Sequence, residues 1–342
     1  MRAGIFYKKG DIRVEEVPDP KIIDPTDAII RITYSCICGS DLWYYRGLSK
    51  HETGRIGHEM LGIVEEVGDE VKKLKVGDIV FAPFAWCDMS CPACKNGISS
   101  ACWHGGLWGM NHTDGCQGEK ARAPFADGCL FVIPKKTDKA LMPALLTLSD
   151  VMCTGHHAAV SAGVSKEKTV AVIGDGAVGL CAVLASKRLG AKRIILMSRH
   201  QKRTDVGKKF GATDIISERG EKSVIKIKEL TDGIGVDCIL ECVGTKSSWE
   251  MAFGMIRAGG KIGYVGVPHD VELPIPDMFR RNIGVNGGVA PAANYISELM
   301  PDILSGKIDP SPVFDLTIPL DKLPDGYKAM DEHKAIKVLV RP

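Results

Sequence analysis

The sequence has no long apolar run that could cross a membrane, and its N-terminal residues contain no apolar core of signal-peptide length. It also lacks an excess of either charge, because 44 basic and 42 acidic side chains leave a formal net charge of +2. These absences argue against membrane and nucleic-acid partners. We therefore expect a cytoplasmic globular protein, with about two domains for a chain of this length.

Cysteine, in contrast, is plentiful, with 12 residues in the chain. A disulfide framework is not expected in a cytosolic protein, so these thiols either pack as small apolar groups or bind metal. Cys87, Cys91, Cys94 and Cys102 lie close together in the sequence, and packing alone does not require such crowding. This segment therefore predicts a metal site.

The pattern of hydrophobic residues changes once along the chain. Residues 1–135 contain short β-branched or alternating runs between Gly and Pro turns, which predict an antiparallel β-rich domain. From about residue 150, apolar strands such as 169–174 and 193–198 alternate with helical segments, which predicts a doubly wound parallel α/β sheet. The last segment, with a strand over 336–340, either extends that sheet or returns to the first domain.

A glycine motif follows the first strand of the predicted parallel sheet. VIGDGAVGL places Gly174, Gly176 and Gly179 in G-x-G-x-x-G spacing, with Ala177 and Val178 inside the motif. The first glycine allows a tight turn, the second lets the backbone approach a pyrophosphate, and the third lets helix and strand pack closely. The motif predicts a dinucleotide site, and the alternative is a purely structural turn.

The end of the next strand lacks the acidic residue that binds the ribose 2′-hydroxyl of NAD. It carries Ser198 and Arg199 instead, with Lys202 and Arg203 just beyond. A 2′-phosphate requires hydrogen-bond donors and positive charge. We therefore predict NADP(H), and the alternative is a solvated basic helix start in a protein that uses NAD.

The crowded thiols contain the spacing C-x2-C-x7-C at Cys91, Cys94 and Cys102, which suits a closed tetrahedral zinc site. Three thiolates need a fourth ligand. Asp88 continues the spacing of two intervening residues, whereas Cys87 is the softer ligand type, so both stay open. A loop of thiols without metal is the remaining alternative.

A second, dispersed metal signal joins Cys38 in CGSD and His58 in GHEMLG. A catalytic zinc has three protein ligands and one open position, and mixed ligand types are usual there. Ser40 lies two residues from Cys38, so its hydroxyl is a candidate for the first step of a proton relay. His51 is a candidate for the outer relay, and Asp41 for orienting the loop or a ligand histidine.

The motifs CGSD, G-H-E-x2-G-x5-G, KVGDIV, the thiol segment and VIGDGAVGL follow one another in this order. Together they resemble the zinc-containing medium-chain alcohol dehydrogenases over nearly the whole chain. The resemblance implies a GroES-like catalytic domain (1–150 and 291–342) and a Rossmann NADP-binding domain (151–290). The segment LSDVMCTGHHAA is most similar to bacterial NADP-dependent secondary alcohol dehydrogenases, in which an Asp at the position of Asp150 is the third catalytic zinc ligand.

The same resemblance implies roles for several other residues. It implies that Thr154 contacts the nicotinamide. It also implies that Glu59 either coordinates zinc transiently or, as we expect, lies behind the zinc ligands. Lys337 is expected to reach the cofactor phosphates, and the alternative is an exposed lysine outside the site. Two departures stand out, because Asp88 replaces the first structural-zinc cysteine and Trp43 replaces a histidine of the family's proton relay.

Two further groups are candidates for contacts in a cleft between the domains. Gly244, Val265 and Val267 end later strands of the predicted parallel sheet and are expected to line the nicotinamide ring. Four large side chains near the metal motifs either form the wall of an apolar substrate pocket or belong to ordinary packing. These are Trp43, Trp86, Trp108 and Met110.

The leading hypothesis is therefore a zinc-dependent alcohol dehydrogenase or carbonyl reductase that uses NADP(H) and two zinc ions per chain. Small alcohols, ketones or aldehydes are the expected substrates, and the resemblance implies a homodimer or homotetramer. Three alternatives remain: a zinc-dependent polyol or sugar dehydrogenase, a zinc-free quinone or enone reductase, and a non-enzymatic protein of the same fold. The last two predict loss of a zinc ligand, so the presence of both Cys38 and His58 argues against them.

Overall fold

The structure is a computed structural model, and it describes residues 1–110 and 113–342. The chain divides into two compact units. We call Met1–Asp150 with Pro291–Pro342 the split unit, and Val151–Ala290 the parallel-sheet unit. Among the described residues, no helix combines the length and the hydrophobicity needed to cross a lipid bilayer.

The first segment of the split unit consists mostly of short strands. The strands are β1 (Arg2–Lys8), β2 (Asp11–Glu16), β3 (Ala28–Ile37), β4 (Gly54–Arg55), β5 (Met60–Val67), β6 (Ile79–Ala82), β7 (Ala85–Trp86), β8 (Gly106–Leu107), β9 (Lys120–Ala123) and β10 (Phe131–Ile133). The helices are α1 (Asp41–Tyr45), α2 (Pro92–Lys95), α3 (Ala126–Cys129) and α4 (Met142–Leu146). The predicted strand over 78–85 ends at Ala82, because Pro83 has no N–H for the sheet.

The parallel-sheet unit alternates strands and helices. Its elements are α5 (Val151–Ser161), β11 (Thr169–Ile173), α6 (Ala177–Arg188), β12 (Arg193–Met197), α7 (Gln201–Phe210), β13 (Asp214–Ile216), α8 (Glu221–Leu230), β14 (Val236–Glu241), α9 (Lys246–Met255), β15 (Ile256–Tyr264), α10 (Ile275–Arg281) and β16 (Gly284–Gly287). The six strands run in the order β13-β12-β11-β14-β15-β16, and all their pairings are parallel.

This strand order positions the glycine motif. After β11 the chain adds β12 and β13 on one side of that strand, and then β14, β15 and β16 on its other side. The strand order therefore reverses between β11 and β14. Ligands of open parallel sheets bind at the carboxyl ends of the strands at such a point. The motif begins at Gly174, immediately after β11, and therefore lies at that edge.

The last segment returns to the split unit, which decides between the two alternatives left open by the sequence. Its elements are α11 (Ala292–Leu304), β17 (Phe314–Pro319), α12 (Leu323–Asp331) and β18 (Lys337–Arg341). β18 pairs antiparallel with β3, with Val338 opposite Ile37. The resulting sheet has the order β10-β6-β5-β3-β18-β17, with β9 also paired to β3.

Candidate active site

Four side chains of the split unit converge on one point. Cys38 follows β3, His58 and Glu59 precede β5, and Asp150 follows a 3-10 turn over Thr147–Ser149. One ligand atom from each lies within 4.8 Å of the others. The Cys38 Sγ is 3.2 Å from Asp150 Oδ2, and His58 Nε2 is 3.5 Å from the same oxygen. Sulfur, nitrogen and oxygen donors in this arrangement fit a catalytic zinc ion.

Asp41 supports two members of this group. Its Oδ2 accepts the backbone N–H of Cys38 at 3.0 Å, and its Oδ1 lies 3.4 Å from His58 Nδ1. Gln117 donates to Asp41 Oδ2 at 3.1 Å, and the Tyr327 hydroxyl donates to the Gln117 side chain at 2.8 Å. A carboxylate on the second ring nitrogen fixes the orientation of a ligand histidine. Sequence reasoning missed Gln117 and Tyr327, because neither belongs to a motif.

Lys337 lies in an unexpected place. Its Nζ is 2.6 Å from Glu59 Oε1 and donates to the Ile37 carbonyl at 3.4 Å, and both charged side chains are almost fully buried. Although burial opposes the charge, the neighbouring Cys36 and Glu59 raise the pKa of Lys337 well above its usual value. The reading of Lys337 as an exposed lysine is therefore wrong, and its ammonium group binds the carboxylate beside His58. The expected contact with cofactor phosphates stays a prediction.

A second group of ligand atoms gathers at Asp88, Cys91, Cys94 and Cys102, again within 4.8 Å of one another. The sulfur of Cys91 is 3.6 Å from that of Cys94 and 3.8 Å from that of Cys102. Asp88 Oδ1 lies 3.2 Å from the Cys102 sulfur and 3.6 Å from that of Cys94. Cys87 is fully buried beside the Gly128 carbonyl and lies outside this group.

The surroundings of the second group favour a thiolate at Cys91, whereas burial raises the pKa of Cys94 and of Cys102. The backbone N–H of Trp103 points to the Cys91 sulfur, and that of Asp88 points to the Cys102 sulfur, each at 3.5 Å. Burial raises the pKa of Cys91, but backbone N–H groups and neighbouring thiols bring it down to about 7. Thiolate is the form that binds zinc. The other Asp88 oxygen, Oδ2, lies 2.7 Å from His104 Nδ1. Sequence reasoning did not identify His104 as part of this site.

Comparisons with known proteins point the same way. A family model described as an alcohol dehydrogenase GroES-like domain matches residues 24–135, and a zinc-binding dehydrogenase model matches residues 177–305. Zinc-type alcohol dehydrogenase B of Aspergillus flavus is 32% identical over 100% of this chain and 81% of its own length.

Two solved structures are similar over the whole chain. Alcohol dehydrogenase TADH from Thermus sp. ATN1 is 31% identical, with a TM-score of 0.93 over 100% of this chain and 99% of that one. Zinc-dependent alcohol dehydrogenase 2 of Streptococcus pneumoniae is 31% identical, with a TM-score of 0.91 over 100% of this chain and 98% of that one. The chain belongs to the zinc-containing medium-chain dehydrogenase family. It is therefore an oxidoreductase of the alcohol dehydrogenase type, with a GroES-like domain and a Rossmann domain.

The glycine loop of this dehydrogenase fits a dinucleotide. Gly174 has a φ of +113°, which a residue with a side chain rarely adopts. A Cβ on Gly179 would lie 2.0 Å from the Gly174 carbonyl oxygen, so only glycine lets α6 pack there. A Cβ on Gly176 would meet nothing within 4 Å, so the space in front of it is open. Ala177 and Val178 form the first turn of α6, whose N–H groups suit a pyrophosphate.

Between the dehydrogenase's glycine loop and the end of β12 lies an acid that the sequence reasoning overlooked, Asp175. Ser198 is buried and donates its hydroxyl to Asp175 Oδ2 at 2.9 Å, and Arg203 lies 3.5 Å from Asp175 Oδ1. Arg199 is exposed. The absence of an acid was judged from the end of β12, but Asp175 reaches this region from the glycine motif itself.

Further residues of the parallel-sheet unit lie as follows. Gly244 sits in the turn after β14, and a Cβ there would be 2.0 Å from the Val267 carbonyl oxygen. Val265 donates its backbone N–H to the Glu241 carbonyl at 2.9 Å, so the loops after β14 and β15 are held together. Val267 is 54% exposed, whereas Thr154 is buried in α5. Their contacts with a nicotinamide ring stay predictions.

The relay candidates lie near α1. Ser40 precedes this helix, and its side chain makes no capping hydrogen bond. His51 packs against the rings of Phe6 and Tyr44, with centroid distances of 5.2 and 4.8 Å. His51 and Tyr44 line a cavity of about 720 Å³, together with Met110. Tyr44 connects these residues, because its hydroxyl lies 3.8 Å from the Met110 sulfur.

The predicted pocket aromatics divide into different environments. Trp43 lies in α1 and is half-buried. Trp86 is also half-buried and stacks on Phe125 at a centroid distance of 6.0 Å. Trp108 is 2% exposed inside the hydrophobic core, and its indole N–H donates to the Pro83 carbonyl at 2.8 Å. This environment favours ordinary packing for Trp108, the second of the two alternatives.

Proposed function

We propose that this chain is a zinc-dependent alcohol dehydrogenase or carbonyl reductase that uses NADP(H). It interconverts small alcohols with ketones or aldehydes in the cytoplasm, as a homodimer or homotetramer. The split unit is the catalytic domain, and the parallel-sheet unit binds the cofactor. The observation that carries the proposal is the convergence of the Cys38, His58 and Asp150 donor atoms within one group.

Cys38, His58 and Asp150 are proposed to hold the catalytic zinc. Glu59 also lies in the group, but Lys337 holds its Oε1 at 2.6 Å. This ion pair favours Asp150 over Glu59 as the third ligand. Zinc held here would supply a Lewis acid that lowers the pKa of an alcohol oxygen, and a nicotinamide cofactor held at the glycine loop would supply the hydride acceptor.

The chain's own groups orient the ligands and move the proton. Asp41 holds His58 through Nδ1 and Cys38 through its backbone N–H, which fixes both donors. The alcohol loses a proton as well as a hydride, and the Ser40 hydroxyl accepts that proton while passing on its own. His51 is proposed to carry the proton outward, because it lines the cavity beside Tyr44. In carbonyl reduction each step runs in reverse.

Replacing Arg199 with aspartate is expected to shift coenzyme preference towards NAD. A charged hydrogen bond to a phosphate is worth roughly 1.5–3 kcal/mol, so the ratio of kcat/KM for NADP over NAD is expected to fall by more than about tenfold. Steady-state kinetics with both coenzymes measures this ratio.

The control for this substitution is Lys192→Asp. Lys192 is an exposed basic residue immediately before β12, at the end of the strand opposite to Arg199. This control makes the same charge change away from the proposed ribose site, so it is expected to leave the ratio unchanged. An unchanged ratio in Arg199→Asp would refute the role of Arg199 in binding the 2′-phosphate.

Asp88→Ala is expected to lower the zinc content from two ions per chain to one, because Asp88 completes the second group of donor atoms. Cys87→Ala is the matched control and is expected to retain both ions, since Cys87 lies outside that group. Elemental analysis of the purified proteins measures the stoichiometry. Zinc loss in Cys87→Ala but not in Asp88→Ala would show that Cys87, and not Asp88, is the fourth ligand.

One activity screen tests the proposed function against its alternatives. NADP(H) and NAD(H) are each combined with secondary alcohols, primary alcohols, aldehydes and polyols, before and after chelation of the metal. We expect turnover of simple alcohols with NADP(H) that chelation abolishes. Preferred turnover of polyols would indicate a sugar dehydrogenase, and enone reduction that survives chelation would indicate a zinc-free reductase.

A further inference from the structure

Asp175 is an acidic residue inside the glycine motif, between Gly174 and Gly176. Its side chain is only 14% exposed, and it turns from the motif towards the carboxyl end of β12. Its Oδ2 accepts the Ser198 hydroxyl at 2.9 Å, and its Oδ1 lies 3.5 Å from an Arg203 nitrogen. Asp175 therefore touches two of the groups that the NADP(H) proposal assigns to the 2′-phosphate.

A serine hydroxyl has one proton to donate. Ser198 gives it to Asp175, while Ser198 Oγ itself accepts the Thr204 hydroxyl at 3.0 Å. Ser198 is 1% exposed, so solvent does not compete with Asp175 for this proton. While Asp175 is ionised, Ser198 has no proton for a phosphate oxygen, and Asp175 also neutralises part of the positive charge of Arg203.

We propose that Asp175 is a coenzyme-specificity residue whose carboxylate opposes a 2′-phosphate at the Ser198–Arg203 site and so limits the preference for NADP(H) over NAD(H). This inference rests on the proposed nicotinamide cofactor. Asp175 takes the place of the missing acid at the end of β12, because it approaches Ser198 from the glycine loop. The balance between Asp175 and the arginines then sets the selectivity.

The test measures binding of cofactor fragments to the full-length protein by isothermal titration calorimetry, so it does not depend on turnover. The probes are 2′,5′-ADP, which carries the 2′-phosphate, and 5′-AMP, which lacks it. Asp175→Asn keeps the shape and a hydrogen-bond acceptor for Ser198 but removes the charge. Removing a carboxylate near the doubly charged phosphate is expected to raise the affinity for 2′,5′-ADP relative to 5′-AMP by about tenfold.

Asp205→Asn is the matched control. Asp205 is an exposed residue of α7 that bonds Gln201, so this change removes the same charge from the same unit and is expected to leave the ratio unchanged. Asp175→Ser is a second variant without charge and is expected to shift the ratio in the same direction. Binding of 5′-AMP verifies that each variant is folded.

The outcomes separate this inference from the proposed function. If Asp175→Asn leaves the ratio unchanged, or weakens 2′,5′-ADP binding more than 5′-AMP binding, the role of Asp175 is overturned. If the wild-type protein binds 5′-AMP more tightly and turns over only NAD(H), the NADP(H) proposal fails. Even then, a shift in the ratio on Asp175→Asn would support the role of Asp175.

Discussion

Replacement of Asp150 by alanine is expected to remove the catalytic zinc and with it the activity. The Asp150 carboxylate lies 3.2 Å from the Cys38 sulfur and 3.5 Å from His58 Nε2, so its loss leaves one thiolate and one imidazole. Loss of a residue that only hydrogen-bonds to a metal ligand lowers metal affinity or activity by up to about a hundredfold. Loss of a ligand itself is therefore expected to lower kcat/KM by more than that. Elemental analysis should find one zinc ion per chain instead of two.

The control for this experiment is Asp69→Ala, which removes an exposed carboxylate from the same unit. It is expected to retain full zinc content and activity. If the Asp150→Ala protein keeps both metal ions and normal turnover, the third zinc ligand is Glu59, the other carboxylate in the group, and not Asp150.

Replacement of Lys337 by methionine is expected to destabilise the split unit. Lys337 and Glu59 form an ion pair with side chains 1% and 0% exposed, so the variant leaves a buried carboxylate without its partner. Breaking a buried pair in this way lowers the free energy of unfolding by roughly 3 kcal/mol or more. Denaturant unfolding, on proteins of verified zinc content, measures the difference.

Two further variants separate the ion pair from other effects. The double replacement Lys337→Met with Glu59→Met removes both charges and is expected to recover most of the lost stability. Lys334→Met breaks an ion pair with Glu332 in which the lysine is 71% exposed, and a surface pair contributes at most about 1 kcal/mol. Equal losses in Lys337→Met and Lys334→Met would show that the buried pair contributes no special stability.

Local patterns explain what could be predicted from the sequence. The strand over Thr169–Ile173 and the turn at Gly174 follow from a short apolar run and a backbone that requires positive φ. The thiol spacing likewise predicts a group of ligand atoms, because Cys91 and Cys94 are joined by one turn of helix. In both cases the interacting atoms lie within a few residues of one another.

Long-range contacts explain what the sequence reasoning missed. Lys337 meets Glu59 only because β18 pairs with β3, and nothing near Lys337 in the sequence indicates that partner. Asp175 reaches Ser198 from a neighbouring strand end, so a search confined to the end of β12 could not find it. For Trp108 the sequence leaves a pocket wall and ordinary packing open, because its burial depends on β-strands from distant segments.

The return of the chain to β3 after Ala290 has a consequence for biosynthesis. The parallel-sheet unit is continuous in sequence, so it can fold as soon as residues 151–290 have left the ribosome. β9 pairs with the first half of β3, but until β18 is also synthesised the end of β3 over residues 35–37 has N–H and C=O groups that can pair with strands of other nascent chains.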